Sequence, residues 1–137
     1  MWWIYALLSA VFAALTAIFA KIGIKDIDSD LATAIRTVVI VVLAWSIVFF
    51  KHAQTGIQTL NRLNWTFLIL SGCATGLSWV FYFKALQIGK VQQVAPVDKL
   101  SVALAIVLSV VFLGEQLTLK NALGALLIIG GSIVLIF

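Results

Sequence analysis

Asp98 and Lys99 stand side by side about eight residues into an apolar run that begins near Val91, in a chain that is 64% hydrophobic and 10% charged. A charge at the centre of a bilayer costs about 2.5–3.5 kcal/mol even on the mildest insertion scale, so adjacent ionisable residues at that depth need a partner, a water-filled cavity or a task. Lys99 lies about 12 Å along a helix from Val91 at the usual rise, and Asp98 has no long stem with which to reach the headgroups. Consecutive residues on a helix do not face each other, so the two are expected to look to different neighbours. For Asp98 the expected partner is a cation from another helix, Lys84 first and Lys21 next. Pro96 lacks an N–H and so frees the carbonyl one turn earlier, at Gln92. Interrupted helices at cavity depth present polar backbone to ligands. The competing reading is a buried ion pair that only fixes helix register. Candidate binding or coupling residues are therefore Asp98, Lys99, Lys84 and Lys21, with Ser101 on the face of Asp98. Lys21, Arg36 and Lys84 also lie close enough to helix ends to snorkel to the headgroups.

Aromatic residues divide by depth. Trp2, Trp3, Tyr5 and Trp65 stand at helix starts, where amphipathic rings anchor at the membrane interface. Trp79, Phe81, Tyr82 and Phe83 lie deeper, as core packing or as the lining of a cavity for an organic ligand or a cation. Trp79 and Phe83 join the candidate site on that ground.

Helices must position these groups, and in lipid they associate by close packing of small residues. Ser9, Ala13, Ala17 and Lys21 stack on one face of the first helix, and Gly72 and Gly76 form a GxxxG in the third. Asp98, Ser101, Ala105 and Ser109 align in the fourth. Ala122, Gly124, Gly130 and Gly131 supply small surface in the fifth. The glycines expected to carry helix packing are Gly72, Gly76, Gly124 and Gly130.

Composition assigns these helices to a membrane. With 137 residues and 10% charge, and a mean hydropathy of +1.18, the chain has too little polar surface for a soluble domain. A span takes about 20 apolar residues, so the length accommodates five spans with short connections and no extramembrane catalytic module. The expected class is an all-α integral membrane protein, a bundle of five transmembrane helices forming a single domain over residues 1–137. Its apolar runs are Trp2 to Ile24, Leu31 to Phe50, Trp65 to Ile88, Val91 to Leu113 and Leu119 to Phe137. The first is too long for a signal-peptide core and ends in Lys21 and Lys25, so it reads as a retained helix. A single Cys, Cys73, and a single His, His52, exclude an intrachain disulfide and a Cys/His zinc cluster. No metal or cofactor is expected. The net charge of +4 comes from cations scattered at helix ends, a membrane pattern that forms no stripe for nucleic acid.

The connections add detail. Asp28, Ser29 or Asp30 could cap the second helix. The acids around them lack the glycine and distal glutamate of a calcium loop. Lys51 to Asn64 is the longest connection, and Ile57, Leu60 and Leu63 recur there at a spacing that suits the membrane surface. Gly89-Lys90 and Gly114-Glu115-Gln116-Leu117-Thr118 are tight turns that make their flanking helices antiparallel neighbours.

An ordered set of segments now resembles a known family. It comprises Lys84-Ala85-Leu86-Gln87-Ile88-Gly89-Lys90-Val91, Val94-Ala95-Pro96-Val97-Asp98-Lys99-Leu100-Ser101, Phe112-Leu113-Gly114-Glu115-Gln116-Leu117-Thr118, and Leu123-Gly124-Ala125 with Ile129-Gly130-Gly131. Together with Ala20-Lys21-Ile22-Gly23 and Ala34-Ile35-Arg36-Thr37, these resemble the EamA domain of the drug/metabolite transporter superfamily, in a small single-domain form. Most members of that group carry two five-helix domains in inverted orientation around a central cavity. The resemblance therefore implies an antiparallel, dual-topology homodimer in the cell (inner) membrane. Its function would be secondary transport, as exporter or exchanger, of small organic metabolites or drug-like compounds by alternating access. Lys21, Lys84 and Lys99 outnumber Asp98, which favours an anionic or zwitterionic substrate. The alternative is a non-transporting membrane subunit that stabilises or positions a partner. An enzyme is not expected, since no nucleophile–base or metal-ligand pair stands out.

Overall fold

Five helices in the computed structural model are long and apolar enough to cross a membrane. The structure describes residues 1–136, and Phe137, assigned by the sequence to the end of the fifth run, lies outside them. Helix α1 is Trp2–Gly23, α2 is Ser29–Phe50 and α3 is Arg62–Ile88. The fourth span, Val91–Leu113, is built from two helices, α4 (Val91–Asp98) and α5 (Leu100–Leu113), and α6 (Leu119–Ile136) makes the fifth. No strand occurs among the described residues. The all-α, five-span membrane class expected from composition is what folds.

Exposure identifies the solvent. Phe12 is 65% exposed, Val38 64%, Phe81 69% and Val134 76%, a distribution of apolar surface that water does not tolerate and hydrocarbon does. Buried side chains among the described residues are few and mostly small: Ala17, Ala20, Ala32, Ala103, Ser29, Thr33 and Ser132, with Ile24, Phe83 and Leu86 as the larger ones closed off almost completely.

Local chemistry sets the helix ends. Asp28 is the N-cap of α2, its carboxylate accepting from the N–H groups of Asp30 (2.9 Å) and Leu31 (3.0 Å). The Asn61 side chain accepts from Asn64 N–H (2.8 Å), which starts α3 at Arg62, earlier than the apolar run implies. Leu63 therefore belongs to the helix and not to the connection. That connection holds a 3-10 turn, Ala53–Thr59, entered through His52 in the left-handed region. Gly114 closes α5 at φ +68°, with Glu115 N–H reaching the Ser109 carbonyl at 3.3 Å.

The chain divides into two compact units, with boundaries inside α1 and at the end of α3. One unit comprises Met1–Phe19 and the chain from Ile88 onward; the other is Ala20–Gln87. In the first, α6 packs against both α4 and α5. In the second, Gln87 donates its side-chain amide to the carbonyls of Ile27 (2.7 Å) and Ile24 (3.4 Å), tying the end of α3 to the connection that follows α1.

Candidate functional site

The fourth span breaks where its charges stand. Pro96 sits inside α4, and the break falls between Asp98 and Leu100. Lys99 N–H is shared between the carbonyls of Ala95 (3.3 Å) and Pro96 (3.1 Å), while Val102 N–H turns back to Lys99 (3.0 Å). These tightened bonds interrupt the regular helical pattern at the residue carrying the charge. The Pro96 carbonyl takes a further donor, the hydroxyl of buried Ser132 on α6, at 2.9 Å. Gln93 donates to the Ile136 carbonyl at 3.5 Å. The polar backbone contact on another helix thus arises at Pro96 itself, whereas the sequence directs attention to Gln92, the carbonyl that Pro96 leaves without its helical donor.

The expectation that Asp98 and Lys99 cannot meet is corrected by their contact. Lys99 Nζ lies 3.3 Å from Asp98 Oδ2, the long lysine side chain turning back to the preceding carboxylate at the junction of α4 and α5. Within its own unit, the cation on Asp98 is Lys99, a partner that the helical spacing does not suggest. The pair is only partly shielded: the Lys99 side chain is 56% exposed and that of Asp98 34%. Ser101 and Ala105 are exposed as well. The buried residue of α5 is Ala103, on a different side of the helix from Ser101, while Asp98 and Ser109 on the small-residue face are half-buried.

The unit from Ala20 to Gln87 holds a second arrangement, which the sequence reading divided among unrelated roles. Trp79 and Phe83, one turn apart on α3, receive the guanidinium of Arg36 from α2, with its carbon 4.1 Å from the Phe83 ring centre and 5.8 Å from that of Trp79. Tyr82 packs edge-on against Phe83 at 5.6 Å between ring centres. The Nη1 of Arg36 is buried and has no hydrogen-bond partner among the described residues. Snorkelling was the expected fate of this residue. It lies instead about 10 Å along α2 from Ser29 at the usual rise and folds against aromatic faces. The signal that marks it in the sequence is the same depth argument that singles out Lys99.

The Lys21 ammonium donates to the carbonyls of Leu86 and, at 3.5 Å, Gln87, where a cation suits the negative end of α3. Lys84 is exposed. Beside Lys21, an open cavity of about 380 Å³ is lined by Ile24, Lys25, Asp26 and Gln87. Gly72, Gly76, Gly124 and Gly130 meet no other atoms within 4 Å of where a Cβ would stand. Within its own unit, none of the four is closed upon by a neighbouring helix.

Comparison with known proteins places these features in a family. The EamA-like transporter family matches residues 1–137. The chain is 48% identical over 134 residues to an uncharacterized transporter in the cobO 3' region of a Sinorhizobium species, covering 98% of this chain and 95% of that protein. It is 31% identical over 132 residues to an uncharacterized protein of Methanocaldococcus jannaschii, covering 96% and 93%. An uncharacterized transporter of Bacillus subtilis, YxxF, is 28% identical over 129 residues that span 93% of this chain and 40% of that protein. No solved structure matches.

Proposed function

Because the chain belongs to the EamA-like transporter family, we propose that this membrane transporter is a secondary carrier of small organic metabolites or drug-like compounds, exporting or exchanging them across the cell membrane. The observation that carries this reading is the fourth span, interrupted at Lys99 between two apolar helices with a salt bridge and a shared carbonyl at the interruption. A register-fixing pair needs no broken helix. In a carrier such a break has a use, since alternating access is served by a polar station that can be exposed and covered while the surrounding helices stay intact. In this reading Asp98 and Lys99 bind substrate or exchange protons, with Ser101 one turn on, and Trp79 and Phe83 contribute aromatic surface.

The working unit in this reading is an antiparallel pair of copies, each one five-helix repeat. The Sinorhizobium transporter is matched along nearly its whole length, whereas YxxF has room for further chain beside the matched segment. A repeat with an odd number of spans has its ends on opposite sides of the membrane, so two separate copies acquire inverted symmetry only by inserting in opposite orientations. Flux tests the reading: purified protein in sealed vesicles should exchange a labelled substrate, found by screening compounds for thermal stabilisation. Stabilising ligands that never cross the vesicle membrane would leave a binding subunit, not a carrier.

A further inference from the structure

Resting on the carrier reading above, we propose that Arg36 is the receiving group for an oxyanion on the cargo, which makes the substrate class organic carboxylates or phosphates. A guanidinium cannot shed its proton in a protein, so the second span carries a permanent charge. Acidic residues do not answer it from its own helix pair: α3 contains none, and the one in α2, Asp30, is six residues back, about 9 Å along the axis. The faces of Phe83 and Trp79 stabilise the cation. They accept little from N–H groups lying in the guanidinium plane, and Nη1 remains without an acceptor. A buried charged donor left unmet costs more than a neutral one. An arrangement that seats the guanidinium on two rings and leaves Nη1 without an acceptor suits an oxyanion, because carboxylate and phosphate match the guanidinium fork with two parallel hydrogen bonds. A cationic cargo would be repelled there, and a neutral one would leave the charge uncompensated. Lipid phosphate offers the same chemistry from a different source, which the test separates.

Trp79 supplies the reporter. A protein carrying Trp2→Phe, Trp3→Phe, Trp45→Phe and Trp65→Phe retains this single indole beside Arg36. Placed in phosphatidylcholine nanodiscs, it would be titrated with benzoate, succinate and inorganic phosphate against chloride at equal ionic strength. A saturable change in Trp79 emission is expected with at least one of the three and not with chloride. Arg36→Lys, which keeps the charge but loses the fork, should weaken it tenfold or more, and Arg36→Gln should abolish it. Should Arg36→Gln fail to fold, as judged by circular dichroism, the Arg36→Lys comparison decides alone. No saturable response to any probe, or equal affinity in Arg36→Lys and parent, would overturn the assignment. So would an Arg36-dependent signal that appears only when phosphatidylglycerol is added, since the ligand is then a headgroup. Flux of the bound probe is scored separately in vesicles. Arg36-dependent binding without flux would leave the oxyanion site standing and overturn the carrier reading. Flux confined to cationic or neutral compounds and indifferent to Arg36→Lys would do the reverse.

Discussion

Asp98 and Lys99 pair where α4 gives way to α5, so the charges at the interruption also partly neutralise each other. That coupling makes a double substitution informative. If the pair merely sets register, combining Asp98→Asn with Lys99→Met should leave stability unchanged or raised, since neutral groups often match an ion pair, and flux should survive. The expected outcome is a folded protein that has lost flux, with Asp98→Asn alone altering its pH dependence, as carboxylates in proton-coupled carriers do. Parental flux at every pH in the folded double variant would sink the functional reading. Ser132→Ala tests the neighbouring carbonyl. Interhelical hydrogen bonds in membranes average about 0.6 kcal/mol, so thermal denaturation in detergent should register a loss of about that size and no loss of fold. At this scale the sequence exposes depth and charge but not partners. The Asp98–Lys99 contact falls where the helix yields, and Pro96 leaves that place open within a few residues. Arg36 was obscured by its distance to a helix end, which admits snorkelling; its seat on Phe83 and Trp79 depends on how α2 meets α3, which no periodicity within either helix specifies.

The elements were legible where termination chemistry is local. Five spans follow from length and hydropathy, and the tight turns at Gly89-Lys90 and Gly114 fall where those residues stand. The start of α3 was misplaced because hydropathy begins at Trp65 while the cap is the polar Asn61. The small-residue faces are read differently: a glycine row marks any close approach, whether inside the chain or to a second copy, and a Cβ built at Gly72 or Gly76 meets nothing within 4 Å. Capping gives a direct test. Asp28 satisfies two N–H groups at the start of α2, and replacing such a cap by alanine costs about 1 kcal/mol. Asp28→Ala should therefore lower unfolding stability in detergent by about that amount, and Asp28→Asn, which retains the accepting oxygen, should restore most of it. Equal losses in both variants would show that the carboxylate charge, and not the cap, is what matters there.

At the scale of the whole molecule, the open glycine face and the loop charges bear on the same question of how copies assemble. With the N-terminus inside, Lys51, Arg62 and Lys120 would vote for the cytoplasm against Lys25, Lys84 and Lys90 on the other side, a balance that the positive-inside rule leaves undecided. Lys21 and Arg36 add little, since one is held on helix carbonyls and the other on aromatic rings. Reporter fusions at the C-terminus should therefore show both orientations in one population, and adding two lysines to a single loop should bias them to one. A single orientation in the parent, with crosslinks only between parallel copies, would end the antiparallel model. Gly76 supplies the complementary test. A Cβ at this position would meet nothing within 4 Å, and leucine is a better helix former than glycine by roughly 1 kcal/mol. Harm confined to the dimer would then come from the surface that the leucine covers. Gly76→Leu is expected to fold with undiminished helicity while losing the detergent-resistant dimer, and Leu77→Ala, one residue away and 60% exposed, should keep it. Dimer fractions that match between the two variants would mean that the Gly72–Gly76 face points to lipid, and the pairing surface would have to be sought on another helix.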